Sequence, residues 1–232
     1  MQVLLLSLPW APFNRPSIQL GALKGFLDQQ FADLRVVSRH PSLTAAAAIG
    51  TDRYRRISEN TWAGEALYSG LLFPELRDPA RRLFQRELPD LGRATYDELL
   101  LLVDTHLDSC LEDVLCEDFH LVGFSVCFSQ LSASLLAASR LKARRPDLRV
   151  VFGGSVITPD LARSLPEAFP AVDDCITGEG ERPLQALVAS LRSNTAVSPA
   201  RVFAAEPQVA YPAEAPKPAT IADLDTLPLP DC

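Results

Sequence analysis

Three stretches of this chain end apolar runs in the small and polar residues that surround ligands. They are Ser125 to Gln130 after LVGF, Gly153 to Ser155 after LRVVF, and Thr177 to Glu181 after VDDCI. Gly153 and Gly154 would let a flat or bulky ligand approach the main chain, although a Gly-Gly pair also serves a tight turn from strand to helix. Cys127 ends its apolar run as a thiol placed for contact with a ligand rather than for catalysis. Glu179 and Glu181 have acid/base chemistry, but acids also suit the first turn of a helix. The helix reading is preferred, because Pro183 follows at a helix-opening position. Cys110, Cys116, His120 and Cys127 are poor metal ligands. They contain no C-x-x-C pair, a helix and a strand would separate them, and small buried thiols explain them.

The elements that must carry these stretches follow from periodicity. Apolar runs at 2–8, 34–38, 121–127, 148–152 and 172–177 read as strands buried on both faces. Helices are expected over 18–31 with Ser17 as N-cap, over 130–144 with Ser129 as N-cap, from Thr158 to 168, and after Pro183. Strand, loop, helix, repeated, is the pattern of an α/β fold. The expected architecture is a flavodoxin-like (Rossmann-like) five-stranded parallel sheet of order 2-1-3-4-5. Ligands bind such sheets outside the carboxyl ends of the strands, so the three stretches should face one crevice with the loop after the first strand, PWAPFNRP. In that loop Trp10 and Phe13 either cover a ligand or cap the core. Arg15 either approaches a ligand or is solvated beside Pro16. Gly21 and Gly25 weaken the first helix and are tolerable if its backbone lies close to the sheet or to a bulky ligand.

Residues 39–118 are too long for a simple crossover. They read as an insertion of two or three helices at about 61–72, 78–87 and 96–117, the last with a stripe of Leu100, Val103, Leu107, Leu111 and Val114. From Asp97 to Asp118 stand eight carboxylates and no Lys or Arg, expected to form a solvated acidic face.

The chain has 232 residues, a length for one domain or slightly more. Its net charge of −7 argues against a nucleic-acid surface. The longest apolar run is too short to span a bilayer, and the N-terminus lacks the pattern of a signal peptide. A soluble cytoplasmic protein with reduced thiols is expected from this and from its five irregularly spaced cysteines. Residues 1–192 read as the α/β domain. Seven prolines follow between Ser193 and Cys232, a Pro-rich linker. It ends on DLDTLPLPDC, where a longer chain would enter a second domain. The sheet could hold a flavin, a nucleotide, a phospho-acceptor Asp or cobalamin. GxGxxG and GxxxxGK[ST] are absent. Receiver acids are replaced by Ser7-Leu8-Pro9 and Ser125-Val126-Cys127, and the loop after the first strand is not the Ser/Thr-rich loop of a flavin phosphate site.

GFSVCFSQLSASLLAASRLKARRPDLRVVFGGS, followed by VDDCITGEGE, resembles the cobalamin-binding domain of B12-dependent radical SAM enzymes. RPSIQLGALKGFL and DLDTLPLPD resemble the same families. WAGEALYSGLLFPE resembles the branch of radical SAM maturases of ribosomal peptides, many of them thought to be C-methyltransferases. The resemblance covers about residues 1–192 and the end of the linker. It implies a module that binds methylcobalamin, next to a radical SAM domain with SAM and a [4Fe-4S] cluster, acting on a precursor peptide. It implies cofactor contacts from Leu8, Pro9, Trp10 and Arg15, from Ser125, Val126, Cys127, Phe128 and Gln130, from Gly153, Gly154 and Ser155, and from Thr177, Gly178, Glu179 and Gly180. The nucleotide tail would run beside the sheet near Gly153 and Gly154, with the loop Pro9 to Arg15 against the lower face of the corrin. Many cobalamin proteins carry D-x-H-x-x-G after the first strand, whose His binds cobalt. This chain has no His there, so base-off binding without a His ligand is expected. Asp104-Thr105-His106-Leu107-Asp108-Ser109 comes near the motif but falls on the helical stripe. His40 and His120 read as ordinary. C-x-x-x-C-x-x-C is absent, so no SAM-cleaving cluster forms on this chain and no catalytic residue is assigned to it. The alternatives are a non-catalytic module of the same fold that recognises a peptide or partner, distinguished by a plugged crevice, and a flavodoxin-like redox domain.

Overall fold

The computed structural model describes residues 1–193, 201–203 and 228. Five parallel strands, β1 (Gln2–Leu6), β2 (Arg35–Arg39), β3 (Leu121–Ser125), β4 (Arg149–Gly153) and β5 (Asp174–Ile176), stand in the order 2-1-3-4-5. A sixth, β6 (Arg201–Phe203), continues the sheet beside β5, also parallel. It lies within the stretch read as linker. Most of the rest of that stretch, including Cys232, falls outside the described residues.

Alternate side chains of each strand enter separate cores, as the period of two requires. Leu4, Leu6, Val122, Phe124, Val150 and Phe152 join the larger one. It is covered by α7 (Leu131–Arg144), α8 (Pro159–Ala168) and the insertion. Val3, Leu5, Leu121, Val151 and Ile176 face α1 (Ile18–Gln30) and α9 (Glu181–Arg192) in the smaller one. Ser17 and Thr158 cap α1 and α8 as expected, each accepting an N–H at 3.3 Å.

The insertion holds five α-helices rather than two or three: α2 (Ser42–Ile49), α3 (Thr51–Ser58), α4 (Thr61–Leu72), α5 (Arg77–Glu87) and α6 (Gly92–Leu115). The first two escape a search for apolar stripes. One is a run of alanines and the other mostly charged, and only Tyr54 and Ile57 of α3 are buried. The acidic stretch is not simply solvated. Arg140 of α7 reaches Asp104 and Asp108 at 2.6 and 2.7 Å, Arg144 pairs with Glu112, Arg39 with Glu117, and Arg81 with Asp97 at 2.7 Å. The matching arginines sit on other elements, out of reach of a local charge count. Such partly exposed pairs each contribute about 0–1 kcal/mol, so they fix register more than stability.

Ser129 does not cap α7. Its φ of 65° turns the chain left-handed one residue early, and Gln130 holds the cap position without a capping bond. The cap comes from the insertion: the Glu65 carboxylate of α4 accepts the N–H groups of Leu131 and Ser132, both at 3.0 Å. A carboxylate there satisfies two otherwise unpaired donors and opposes the helix dipole. Glu65→Ala should lower stability by about 1–2 kcal/mol in urea unfolding, the scale of a lost cap. Glu65→Gln, which keeps one acceptor, should lose less. A loss of under about 0.3 kcal/mol for Glu65→Ala would show that the cap contributes nothing.

Candidate functional site

The carboxyl ends of the strands are built by one backbone crossing and one side-chain clip. At the crossing, Val126 N–H donates to the Gly153 carbonyl at 2.7 Å, and the Val126 carbonyl accepts from Val156 at 3.3 Å. Gly154 has φ 105°, and a Cβ there would stand 2.5 Å from the Val126 carbonyl oxygen. Gly154 is therefore a glycine because two loops cross. Gly153 is different. A Cβ there would meet only Ile176, at 3.7 Å, an ordinary contact. The fold has room for a Cβ at 153, and Gly153 lines a cleft.

The clip is Gln130, which is 1% exposed. Its Oε1 accepts from the Cys127 N–H at 2.8 Å, while its Nε2 donates to Ser7 Oγ at 3.2 Å and to the Leu8 carbonyl. One amide thus ties the loop after β3 to the loop after β1.

Two clefts open beside this frame. The first, about 490 Å³, runs down the face of the sheet between α1 and α9. Its floor includes the row Leu5, Gly123 and Val151, register partners on β1, β3 and β4. Gly123 has no side chain because its neighbours in that row close over it: a Cβ would come within 3.1 Å of Leu5 and 3.5 Å of Val151. Leu20, Leu23 and Leu184 line its walls, while Ser125, Ser155 and Gly178 to Gly180 give it polar residues. The second, about 710 Å³, is bordered by the loop after β1 with Arg15, by His40 and Ser42 after β2, and by Phe128 and Gln130. The clefts share Ile18, Gln19 and Cys127. They meet at the switch between β1 and β3, where sheets of this order take their ligands. Ile18 is 63% and Phe128 72% exposed, two large apolar side chains turned to solvent at this junction.

Of the residues expected at the site, Ser125, Cys127, Gly153, Gly154, Ser155, Gly178, Glu179 and Gly180 line the first cleft. Trp10, Arg15, Cys127, Phe128 and Gln130 border the second. Leu8, Pro9, Val126 and Thr177 are buried and line neither. Trp10 belongs mostly to the core. Its Nε1 donates to the Gly64 carbonyl at 3.1 Å and its ring packs 5.1 Å from Tyr54 and 6.0 Å from Tyr68. The Gln130 amide is fully engaged within the protein, so it positions rather than binds. Arg15 is exposed and forms no ion pair or side-chain hydrogen bond with the described residues.

The sequence reading missed Gly123, the apolar wall of α1, His40 and Ser42. A glycine inside a strand was the available signal for the first. The last two lie far along the chain and become neighbours of the site only through the β1–β2 pairing. Burial pushes the His40 pKa below its ordinary value, against a hydrogen bond with the Ser17 backbone. His40 Nε2 and Ser42 Oγ are buried without a hydrogen-bond partner. His106 is on α6, bonded to Thr44 Oγ1 at 2.9 Å, and Asp104 and Asp108 of the motif look-alike are taken by Arg140. The look-alike serves the packing of the insertion and borders neither cleft. Burial raises the Cys110 thiol to about 11 and Cys175 to about 12, so neither is a reactive thiolate at neutral pH. No cluster of three or more His, Cys, Asp or Glu fit to hold a metal occurs among the described residues. No helix among them is long and apolar enough to cross a membrane.

Residues 90–188 match the family model of the B12 binding domain. The match runs from the insertion through β3, β4 and β5 into α9, and so contains the loops after β3, β4 and β5 but not the loop after β1. With the flavodoxin-like order of the sheet, it supports a cobalamin-binding domain. No curated protein matches the chain. The residues present fit that cofactor. A narrow apolar cleft floored by Gly123 and fronted by Gly153 suits the nucleotide tail. The broader second cleft, bordered by Arg15, Ser17, Gln19 and Phe128, suits the corrin and its amide side chains. Gly153→Val should fold with a nearly unchanged Tm and bind hydroxocobalamin about tenfold or more weakly, the scale of one overpacked contact. Unchanged affinity would mean that the first cleft is not used.

Proposed function

We propose that residues 1–192 form the cobalamin-binding module of a radical SAM C-methyltransferase that matures a ribosomally made peptide. The observation that carries this is the pair of clefts meeting at the β1–β3 switch, the first lined mostly by the stretch that matches the B12 binding domain and the second mostly by residues before it. Methylcobalamin supplies a methyl group for transfer to a substrate carbon. The share of this chain is to bind and orient it. The first cleft takes the nucleotide tail, which holds the cofactor base-off, and the loop after β1 puts no histidine beneath the corrin. The Gln130 clip keeps that loop in register with Cys127 and Phe128, so the corrin meets a fixed platform.

SAM and a [4Fe-4S] cluster belong to a partner radical SAM domain, because the three-cysteine motif is not in this chain. The resemblance of WAGEALYSGLLFPE, which forms most of α4 and the turn after it, favours the peptide-maturing branch. An open crevice speaks against a module whose site is plugged by its own side chains. A redox flavodoxin is disfavoured by the lack of a phosphate loop after β1.

Titration of the purified chain with methylcobalamin, followed in the visible spectrum, tests the module. The expected result is saturable, stoichiometric binding in the micromolar range or tighter, with conversion to the base-off spectrum. A base-on spectrum at saturation would overturn the use of the first cleft for the tail. No spectral change and no retention of the cofactor would overturn the module itself.

A further inference from the structure

We propose that Arg15 binds the phosphodiester of the cofactor's nucleotide loop, at the border between the two clefts. The inference rests on the proposed cobalamin site and deepens it by naming the residue that holds the cofactor's anionic group.

The charges of the two clefts are sorted. Glu179 and Glu181 line the first, with no Lys or Arg among its described lining residues. The second is bordered by Arg15, with no Asp or Glu among its described lining residues. In a chain of net charge −7, this leaves a cation facing a cleft without a counter-charge. Arginines elsewhere are neutralised: Arg81 by Asp78 and Asp97, Arg140 by Asp104 and Asp108, Arg149 by the buried Asp174. Arg15 is exposed and has no ion pair with the described residues.

Its main chain is nevertheless fixed on both sides. Before it, the Tyr54 hydroxyl donates to the Ala11 carbonyl at 2.7 Å, and the Phe13 ring packs edge-on against Tyr54 at 5.6 Å. After it, Pro16 restricts the backbone of residue 15 and Ser17 caps α1. A guanidinium on an anchored loop, left unpaired, presents a planar fork that matches a phosphate.

The chemistry of the cofactor selects the group that meets it. The side chains around the corrin end in neutral amides. The fixed negative charge of cobalamin is the phosphodiester between the corrin arm and the ribose of the tail. With the corrin in the second cleft and the base in the first, that phosphodiester lies where the clefts meet, at Ile18, Gln19 and Cys127. Arg15 stands just before these residues on the second-cleft side. Glu179 and Glu181 repel a phosphate from the first cleft, so the base enters it alone. Ile18 and Gln19 open the 13-residue α1, whose dipole adds a field of the same sign at this border.

Equilibrium titrations of the full chain with aquocobalamin and with aquocobinamide, which lacks the phosphodiester, ribose and base, test this. Arg15→Gln should bind aquocobalamin about tenfold more weakly than the wild-type chain and aquocobinamide within about twofold of it, the scale of one charge-assisted pair. Arg15→Lys, which keeps the charge without the fork, should fall between the two. The difference between wild type and Arg15→Gln should shrink as salt is raised. Equal weakening of both ligands by Arg15→Gln would overturn the proposal, because the contact would then be with the corrin or with the fold. Unchanged affinity of Arg15→Gln for aquocobalamin would overturn it while leaving the cobalamin site intact. Failure of the wild-type chain to bind aquocobalamin would overturn the cobalamin reading and this proposal with it.

Discussion

The amide of Gln130 joins the two loops on which the site depends. It satisfies the Cys127 N–H in the loop after β3 and reaches Ser7 and Leu8 in the loop after β1. These loops flank the switch point of the sheet, where the connections after two parallel neighbouring strands lead to opposite faces and diverge. A crevice there has walls that share no ladder of backbone hydrogen bonds. A buried side chain with one acceptor and two donors supplies the missing tie at a cost in freedom far below that of a longer loop. With the clip in place, Cys127, Phe128 and the loop after β1 form one rim, and the second cleft has a defined shape.

The insertion extends the same constraint. Two successive residues of α4 hold both loops: the Gly64 carbonyl accepts from Trp10, and the Glu65 carboxylate caps α7. Gly64 has to be small, because a Cβ would come within 2.5 Å of the Trp10 ring and 3.0 Å of Ser129. The helices between β2 and β3 are therefore a buttress for the site as well as a crossover. Arginines of α7 fix the register of α6 through its acidic face, and Arg39 of β2 holds Glu117 just beyond its end. The exposed Ile18 and Phe128 remain as apolar surface at the mouth, suited to a flat apolar ring.

Much of this was legible in the sequence. Strand positions and order follow from short apolar runs that each end in small residues, and the ligand end follows from the order. What was not legible depends on partners distant along the chain. Ser129 looks like a cap, but the cap is Glu65, over sixty residues earlier. Trp10 looks like a ligand cover, but Gly64 and two tyrosines draw it into the core. The two glycines of GGS look alike, yet Gly154 is demanded by the Val126 backbone and Gly153 by nothing in the protein. His40 looks ordinary because its neighbours in sequence carry no ligand motif. Only the pairing of β1 with β2 brings it to the cleft.

The central claim is that the two clefts form one site, the first for the nucleotide tail and the second for the corrin. The most direct measurement compares the equilibrium dissociation constants of the chain for aquocobalamin and for cobinamide, which has the corrin but no nucleotide. Binding of both, with cobalamin tighter by about tenfold or more, is predicted, since the tail adds its own buried contacts in the first cleft. Equal affinities would contradict the claim, because the first cleft would then take no part in binding.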